Sequence, residues 1–361
     1  NMAEPLKNMY NKPYLEKFAG VFKKIYPAFN SKQFLKLVFD SEWESKELKQ
    51  RMSHIARCLH KVLPGDYRNN ISILKKAVPE FKGFLSMIFP DYVEQFGTDD
   101  PKTSIPALML FTQYGSSEFA VRPFVIKYPQ VLMPEMLKWA RHKNHHVRRL
   151  ASEGCRPRLP WAMGLPEFKL NPAPVLKILE ILKADESEYV RKSVANNLND
   201  ISKDNPETTL KLAKSWYGKN KNTDWIVKHG LRGLLKKGNP DALKLFGWHG
   251  SEGLETTGFK LSSTKVPNGG KFDFTFSITP VKPVNENVRL EYTIDFLTST
   301  GKTGRKIFKI TEGRFEKGKT YSFTRKHSFR DLTTRKHFKG KHKIAIIVNG
   351  EKTAEKDFYI I

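Results

Sequence analysis

Residues 145–161 read HHVRRLASEGCRPRLPW, and residues 188–207 read EYVRKSVANNLNDISKDNPE. The two share one opening, His146-Val147-Arg148-Arg149-Leu150-Ala151 against Tyr189-Val190-Arg191-Lys192-Ser193-Val194-Ala195. A degenerate third copy is Ile226-Val227-Lys228-His229-Gly230-Leu231-Arg232. Val147, Val190 and Val227 are spaced by 43 and then 37 residues, the period of HEAT-like helix pairs. A single pair cannot bury its apolar face alone, so neighbours stack into a superhelix with a concave surface. This pattern specifies a fold rather than a function.

Outward from the repeat, up to about Trp248, apolar residues recur at helical spacing with Gly, Pro and Asn at the breaks. From about Leu254 the texture changes. Lys271–Thr279 (KFDFTFSIT), Val288–Phe296 (VRLEYTIDF) and Lys343–Gly350 (KIAIIVNG) alternate or run β-branched and aromatic, as strands do. About seven such strands in roughly 105 residues predict an immunoglobulin-like β-sandwich. The expected organisation is a helical repeat domain over residues 1–250, a boundary near Gly250–Thr257, and a sandwich over residues 255–361.

The 361 residues include 63 Lys plus Arg against 37 Asp plus Glu, a net charge of +26. Residues 251–361 carry +10 of it and the helical part +16, so both parts are expected to touch a polyanion. Nucleic acid is the partner class that best fits such a surplus, because neutralised phosphates release condensed counterions. Cys58 and Cys155 stand far apart in no metal spacing, which argues against a disulfide framework or a zinc site. Neither a signal-peptide run at Asn1–Ala19 nor a membrane-length apolar segment is read, so a soluble, intracellular protein is expected, cytoplasmic and without a membrane partner. Nothing argues against a monomer.

In the helix predicted over Ser187–Ile201, Val190, Val194, Leu198 and Ile201 share one arc. Lys192, Asn196 and Asp200 form a stripe on the other side. Equivalent helices of a solenoid project onto one surface, so Arg148, Arg149, Arg191, Lys192, Lys228 and Arg232 are expected to line one cationic track. After a helix end near Gly154, Pro157 and Pro160 stiffen a loop that presents Arg156, Arg158 and an exposed Trp161. His145, His146 and His229 lack a partner at ligand spacing and read as surface or phosphate-contacting histidines.

SSEFAVRPF (116–124), HHVRRLASEGCRPRLPW (145–161) and EYVRKSVANNLNDISKDNPE (188–207) resemble the AlkC branch of the HEAT-like alkylpurine DNA glycosylases, relatives of AlkD. The resemblance covers roughly residues 2–250, and a sandwich behind the helical array also resembles some AlkC proteins. It implies hydrolysis of the N-glycosidic bond of cationic alkylated bases, such as 3-methyladenine and 3-methylcytosine, in double-stranded DNA. It also implies recognition without extrusion into a deep pocket, unlike most glycosylases. Carried over by position, the catalytic carboxylates fall on Glu118 and Asp200 and the active-site aromatic on Trp161. The AlkD branch places its groups in other local contexts, so Trp216 and Trp225 are expected in the core.

The chemistry needs no metal or organic cofactor. A cationic base is already a good leaving group, and the difficult species is the oxocarbenium-like sugar. A fixed carboxylate stabilises that cation, a carboxylate can deprotonate the attacking water, and an aromatic face adds a cation–π term. This reading requires Glu118 and Asp200 to face a cationic hollow, neither being locked to a lysine or arginine. The rival reading is a non-catalytic HEAT scaffold that binds nucleic acid. In the sandwich, Arg325–Arg330 and Arg335–Lys341 interleave basic and aromatic residues, which predicts that the domain completes a DNA clamp.

Overall fold

The structure, a computed structural model, describes residues 5–282, 287–331 and 336–361. Two compact units divide it, Asn1–Gly230 and Leu231–Ile361. The first unit runs through α1 (Lys12–Ile25), α2 (Ser31–Val38), α3 (Leu48–Val62), α4 (Tyr67–Ala77), α5 (Ile88–Phe96), α6 (Pro101–Phe111) and α7 (Arg122–Lys127). It continues with α8 (Pro129–Trp139), α9 (His145–Glu153), α10 (Pro166–Leu170), α11 (Ala173–Leu182), α12 (Glu188–Ile201), α13 (Pro206–Trp216) and α14 (Lys221–Gly230). The breaks follow from local chemistry. Asn11, Asn30, Asp66, Asp100 and Asn144 each accept a first-turn N–H with their side chains, while Pro101, Pro129 and Pro206 open their helices. Both devices satisfy or remove N–H groups that have no partner inside the helix.

The three repeat segments become α9, α12 and α14, and α12 packs against both of the others. Val147, Leu150, Val190, Val194, Leu198 and Ile226 are fully buried between them. The close approach depends on Gly230, where a Cβ would stand 2.7 Å from the Leu198 Cδ2. Trp216 is buried as expected. Trp225 is not: its ring is 38% exposed and stacks on His229 at 5.0 Å, because it lies on the outer side of α14, away from the buried Ile226 and Val227.

The second unit starts with α15 (Arg232–Lys236) and α16 (Pro240–Leu245). The strands are β1 (Leu254–Leu261), β2 (Lys265–Val266), β3 (Lys271–Pro280), β4 (Asn287–Leu297), β5 (Thr303–Arg314), β6 (Tyr321–Ser328), β7 (Gly340–Val348) and β8 (Glu351–Ile360). They form a three-stranded sheet in the order β1-β3-β6 and a five-stranded sheet in the order β2-β8-β7-β4-β5. Phe272, Phe274, Phe276 and Ile278 of β3 meet Leu290, Ile294, Ile344 and Ile346 in one core. β1 begins where the texture changes. The compact unit begins earlier, because Trp248 covers Arg289 with its ring 5.0 Å from the guanidinium, and Asn349 donates to the Gly250 carbonyl at 2.7 Å.

The basic run Arg325–Arg330 lies on β6 and its exit. Its His327 and Phe329 turn into the core, while Lys326 and Arg330 stay exposed. In the second run Arg335 lies outside the described residues, His337 is buried, and Lys341 pairs with Asp357 at 2.8 Å. His327, Phe329 and His337 of these runs therefore pack into the sandwich.

Candidate active site

Within the first unit a cleft of about 590 Å³ opens between the segment after α6, the face of α9, the loop after α9 and the start of α12. His146, Arg149 and Glu153 reach it from α9, where spacings of three and four residues bring side chains to one face. Ser116, Glu118 and Phe119 come from the connection into α7, Arg156 and Trp161 from the loop, and Tyr189 from α12. Gly154 ends α9 and its N–H reaches the Leu150 carbonyl at 2.8 Å. A Cβ there would lie 2.7 Å from Val121 Cγ1, so a larger residue would push the end of α9 away from the segment that leads into α7.

The charged groups form one string of alternating sign. Glu118 pairs with Arg149 and accepts from Ser116 Oγ at 2.9 Å. Arg149 Nη2 stands 3.4 Å from Glu153 Oε1, and its guanidinium lies 4.8 Å from the centre of the Tyr189 ring. Arg156 Nη1 donates to Glu153 at 2.7 Å and its Nε donates to Asp200 at 2.9 Å. Ser193 Oγ donates to the remaining Glu153 oxygen at 2.6 Å. Lys203 closes the string on Asp200 at 3.2 Å. Burial alone would lower both guanidinium groups; the carboxylates outweigh it and hold Arg149 and Arg156 above their ordinary values. Burial lowers the His146 imidazole, with His145 and Arg149 adding to it.

Trp161 stands at the mouth, 67% exposed, with a backbone φ of 64°. That left-handed conformation is uncommon for a bulky residue and persists only where neighbours hold it. Arg122 holds the base of the loop. It is fully buried and donates to the Met163 carbonyl at 2.7 Å and to the Gly154 carbonyl at 3.2 Å. Burial pushes its guanidinium down to about 10.

The sequence-predicted residues divide accordingly. Glu118, Arg149, Arg156 and Trp161 meet at the cleft. Asp200 does not line it: it is 2% exposed, because the loop after α9 lays Arg156 across the last turn of α12 and covers the stripe that Lys192 begins. Of the two carboxylates required to face a hollow unpaired, Asp200 fails both conditions, and Glu118 faces the cleft while paired with Arg149. Arg156 is buried, not presented to solvent. Several cations expected on the track have partners within the protein. Arg148 is bound by Asp185 at 2.7 Å, Arg191 donates to the Asp185 and Glu186 carbonyls at 2.9 and 2.8 Å, and Arg149 turns to the cleft. Lys192 pairs with Glu188 at 2.7 Å on the exposed face of α12, and Arg158 with Asp204 at 2.6 Å. Lys228 and His229 belong to α14, and Arg232 to the second unit. Glu153 and Tyr189 are site residues that the sequence reading passed over. The signal for Glu153 was its place four residues after Arg149.

Comparison with known proteins gives the following. Residues 115–248 match a family model described as a DNA alkylation repair enzyme. Residues 255–361 match the C-terminal Ig-like domain of the uncharacterised protein YhaZ. The chain is 45% identical to the uncharacterized protein YhaZ of Bacillus subtilis (strain 168), over 98% of this chain and 99% of that one. It is 38% identical to the alkylpurine DNA glycosylase AlkC of Pseudomonas fluorescens, solved bound to DNA containing an abasic site analog. That similarity spans 99% of this chain and 100% of the other with a TM-score of 0.94.

Proposed function

The chain belongs to the AlkC family of alkylpurine DNA glycosylases, and from that premise we propose that it excises cationic alkylated bases, 3-methyladenine and 3-methylcytosine among them, from double-stranded DNA. One observation carries the reading: two carboxylates, Glu118 and Glu153, are fixed on one guanidinium at the wall of a cleft whose mouth holds an exposed indole. In a protein of net charge +26, acidic groups in a DNA-facing hollow cost affinity unless they act on a cation.

The bond between C1′ and the base nitrogen breaks with its electron pair going to the base, which neutralises the base's positive charge. The sugar is left as an oxocarbenium-like cation. Glu118 at the cleft wall stabilises that charge, with the buried Glu153 acting behind it through Arg149, and because these partners are fixed no reorganisation is needed as it develops. Water then adds to C1′ and gives its proton to Glu118. Trp161 packs its face on the cationic nucleotide, worth about 1–2 kcal/mol when desolvated. Arg149 and Arg156 orient the carboxylates, and Asp200 acts on them only through Arg156. The helical residues 1–250 bind DNA and carry the chemistry, with the exposed cations Arg158, Lys192 and Lys228 and with His229 and Arg232 touching phosphate. The sandwich, residues 255–361, adds contacts to the duplex.

The test is single-turnover release of methylated bases from alkylated duplex DNA by the native protein and by Glu153→Gln and Glu118→Gln. Release by the native protein and a fall of roughly 10²–10³-fold in the variants is expected. A protein that binds the duplex and releases nothing is a nucleic-acid-binding scaffold, and the reading is then wrong.

A further inference from the structure

Lys49 lies on α3, 112 residues from Trp161, yet its Nζ donates to the Trp161 carbonyl at 2.8 Å. The same ammonium stands 4.4 Å from the centre of the Phe119 ring. Both partners line the cleft. The Lys49 charge also acts on Asp91 and Glu94 of α5. Burial pushes both carboxyls above their usual range, and the Lys49 charge offsets part of that rise. The ammonium is therefore held by a carbonyl and an aromatic face.

The carbonyl it holds is that of Trp161, the non-glycine cleft residue with a backbone in the left-handed region. The loop has other anchors: Arg122 grips Gly154 and Met163, the Leu165 N–H reaches the Pro157 carbonyl at 3.2 Å, the Ala162 N–H reaches the Leu159 carbonyl at 3.3 Å, and Arg158 pairs with Asp204. Arg122 and Leu165 fix the base of the loop, while the Ala162–Leu159 turn closes the tip on itself. A charge-assisted bond to a carbonyl is the stronger and more directional kind, and here it fixes the peptide that follows the indole.

We propose that Lys49 is a positioning residue for Trp161: it holds the loop tip so that the indole stands open at the cleft mouth before DNA arrives. A pre-set ring meets the nucleotide without first being ordered, which is where misplacement by about 1 Å costs rate. The consequence for base release rests on the function proposed above. The positioning itself is readable in the free protein.

The experiment uses the full chain labelled with 5-fluorotryptophan, whose six tryptophans give separate ¹⁹F resonances, that of Trp161 being assigned by its loss in Trp161→Phe. Lys49→Met keeps the stem and removes donor and charge; Lys49→Arg keeps both. Without DNA, Lys49→Met is expected to shift and broaden the Trp161 resonance and leave the other five in place, with Lys49→Arg close to native. Base release from methylated duplex is expected to slow roughly tenfold in Lys49→Met, and to slow no further when Lys49→Met is added to Trp161→Ala. An unmoved Trp161 resonance overturns the proposal, and so do losses that multiply in the double variant. If the native protein releases no base, the functional reading fails and the resonance alone decides the positioning role.

Discussion

Arg156 takes Asp200 out of the cleft: its Nε donates to Asp200 Oδ2 at 2.9 Å, and both side chains are buried. On the function proposed above, a carboxylate so placed acts by holding the arginine that also holds Glu153. Asp200→Asn is therefore expected to lower thermal stability and base release together. Arg156 keeps Glu153 and loses part of a charged bond, so a cost of about 1–3 kcal/mol is expected. Differential scanning calorimetry beside single-turnover kinetics checks this. A slowed enzyme with an unchanged melting temperature returns Asp200 to the reacting centre.

Trp161 shows the opposite pattern. Its ring packs little in the free protein, so Trp161→Ala is expected to leave the melting temperature within about 1 °C while base release falls roughly 5–30-fold, the equivalent of 1–2 kcal/mol of lost cation–π contact. A large drop in melting temperature would instead make the ring a structural plug.

Glu94 gives the pH signature. Burial pushes its carboxyl up to about 7, Asp91 adding and Lys49 opposing, whereas an unfolded chain releases that proton near the ordinary value of 4.5. Between these points the folded state binds more protons, so the contribution of this group is full below the lower value and is lost as pH rises through the upper one. Glu94→Gln is expected to gain stability relative to the native chain by about 1–3 kcal/mol between pH 4.5 and 8. Urea midpoints at the two ends measure it, and parallel curves for the two proteins would refute it.

On the sandwich, Lys326 and Arg330 project from β6 and its exit while His327 and Phe329 fill the core. Lys326→Gln and Arg330→Gln are each expected to weaken duplex binding without altering sequence preference, and to flatten the slope of log K against log salt by about 1. An unchanged slope in the double variant would mean that this strand does not meet phosphate.

The legible part of the fold is the part that packing dictates locally. Val147, Val190 and their alanine partners read as a repeat because those positions are the ones that neighbouring helices bury, and Phe272, Phe274 and Phe276 read as a strand because one face of a sheet must be apolar. Trp161 was legible from its prolines and arginines. What stayed hidden depends on partners remote in the chain. A helical projection shows which way Asp200 leaves its own axis, but Arg156, 44 residues earlier, decides what covers it. The same holds for Lys49. Glu153 sat in plain view, yet a glutamate just before a glycine reads as a helix end, and only Arg149, Arg156 and Ser193 arriving together make it the centre of a site.

The alternating string from Glu118 to Lys203 also limits how this protein can drift. Each interior ion answers to two neighbours, so a change of sign at any link strands the next one, and tolerated sequence change must travel through the string in compensated pairs. Relatives that differ at one of these positions are therefore expected to differ at an adjacent link as well, which turns a set of contacts inside one molecule into a pattern that can be read across many.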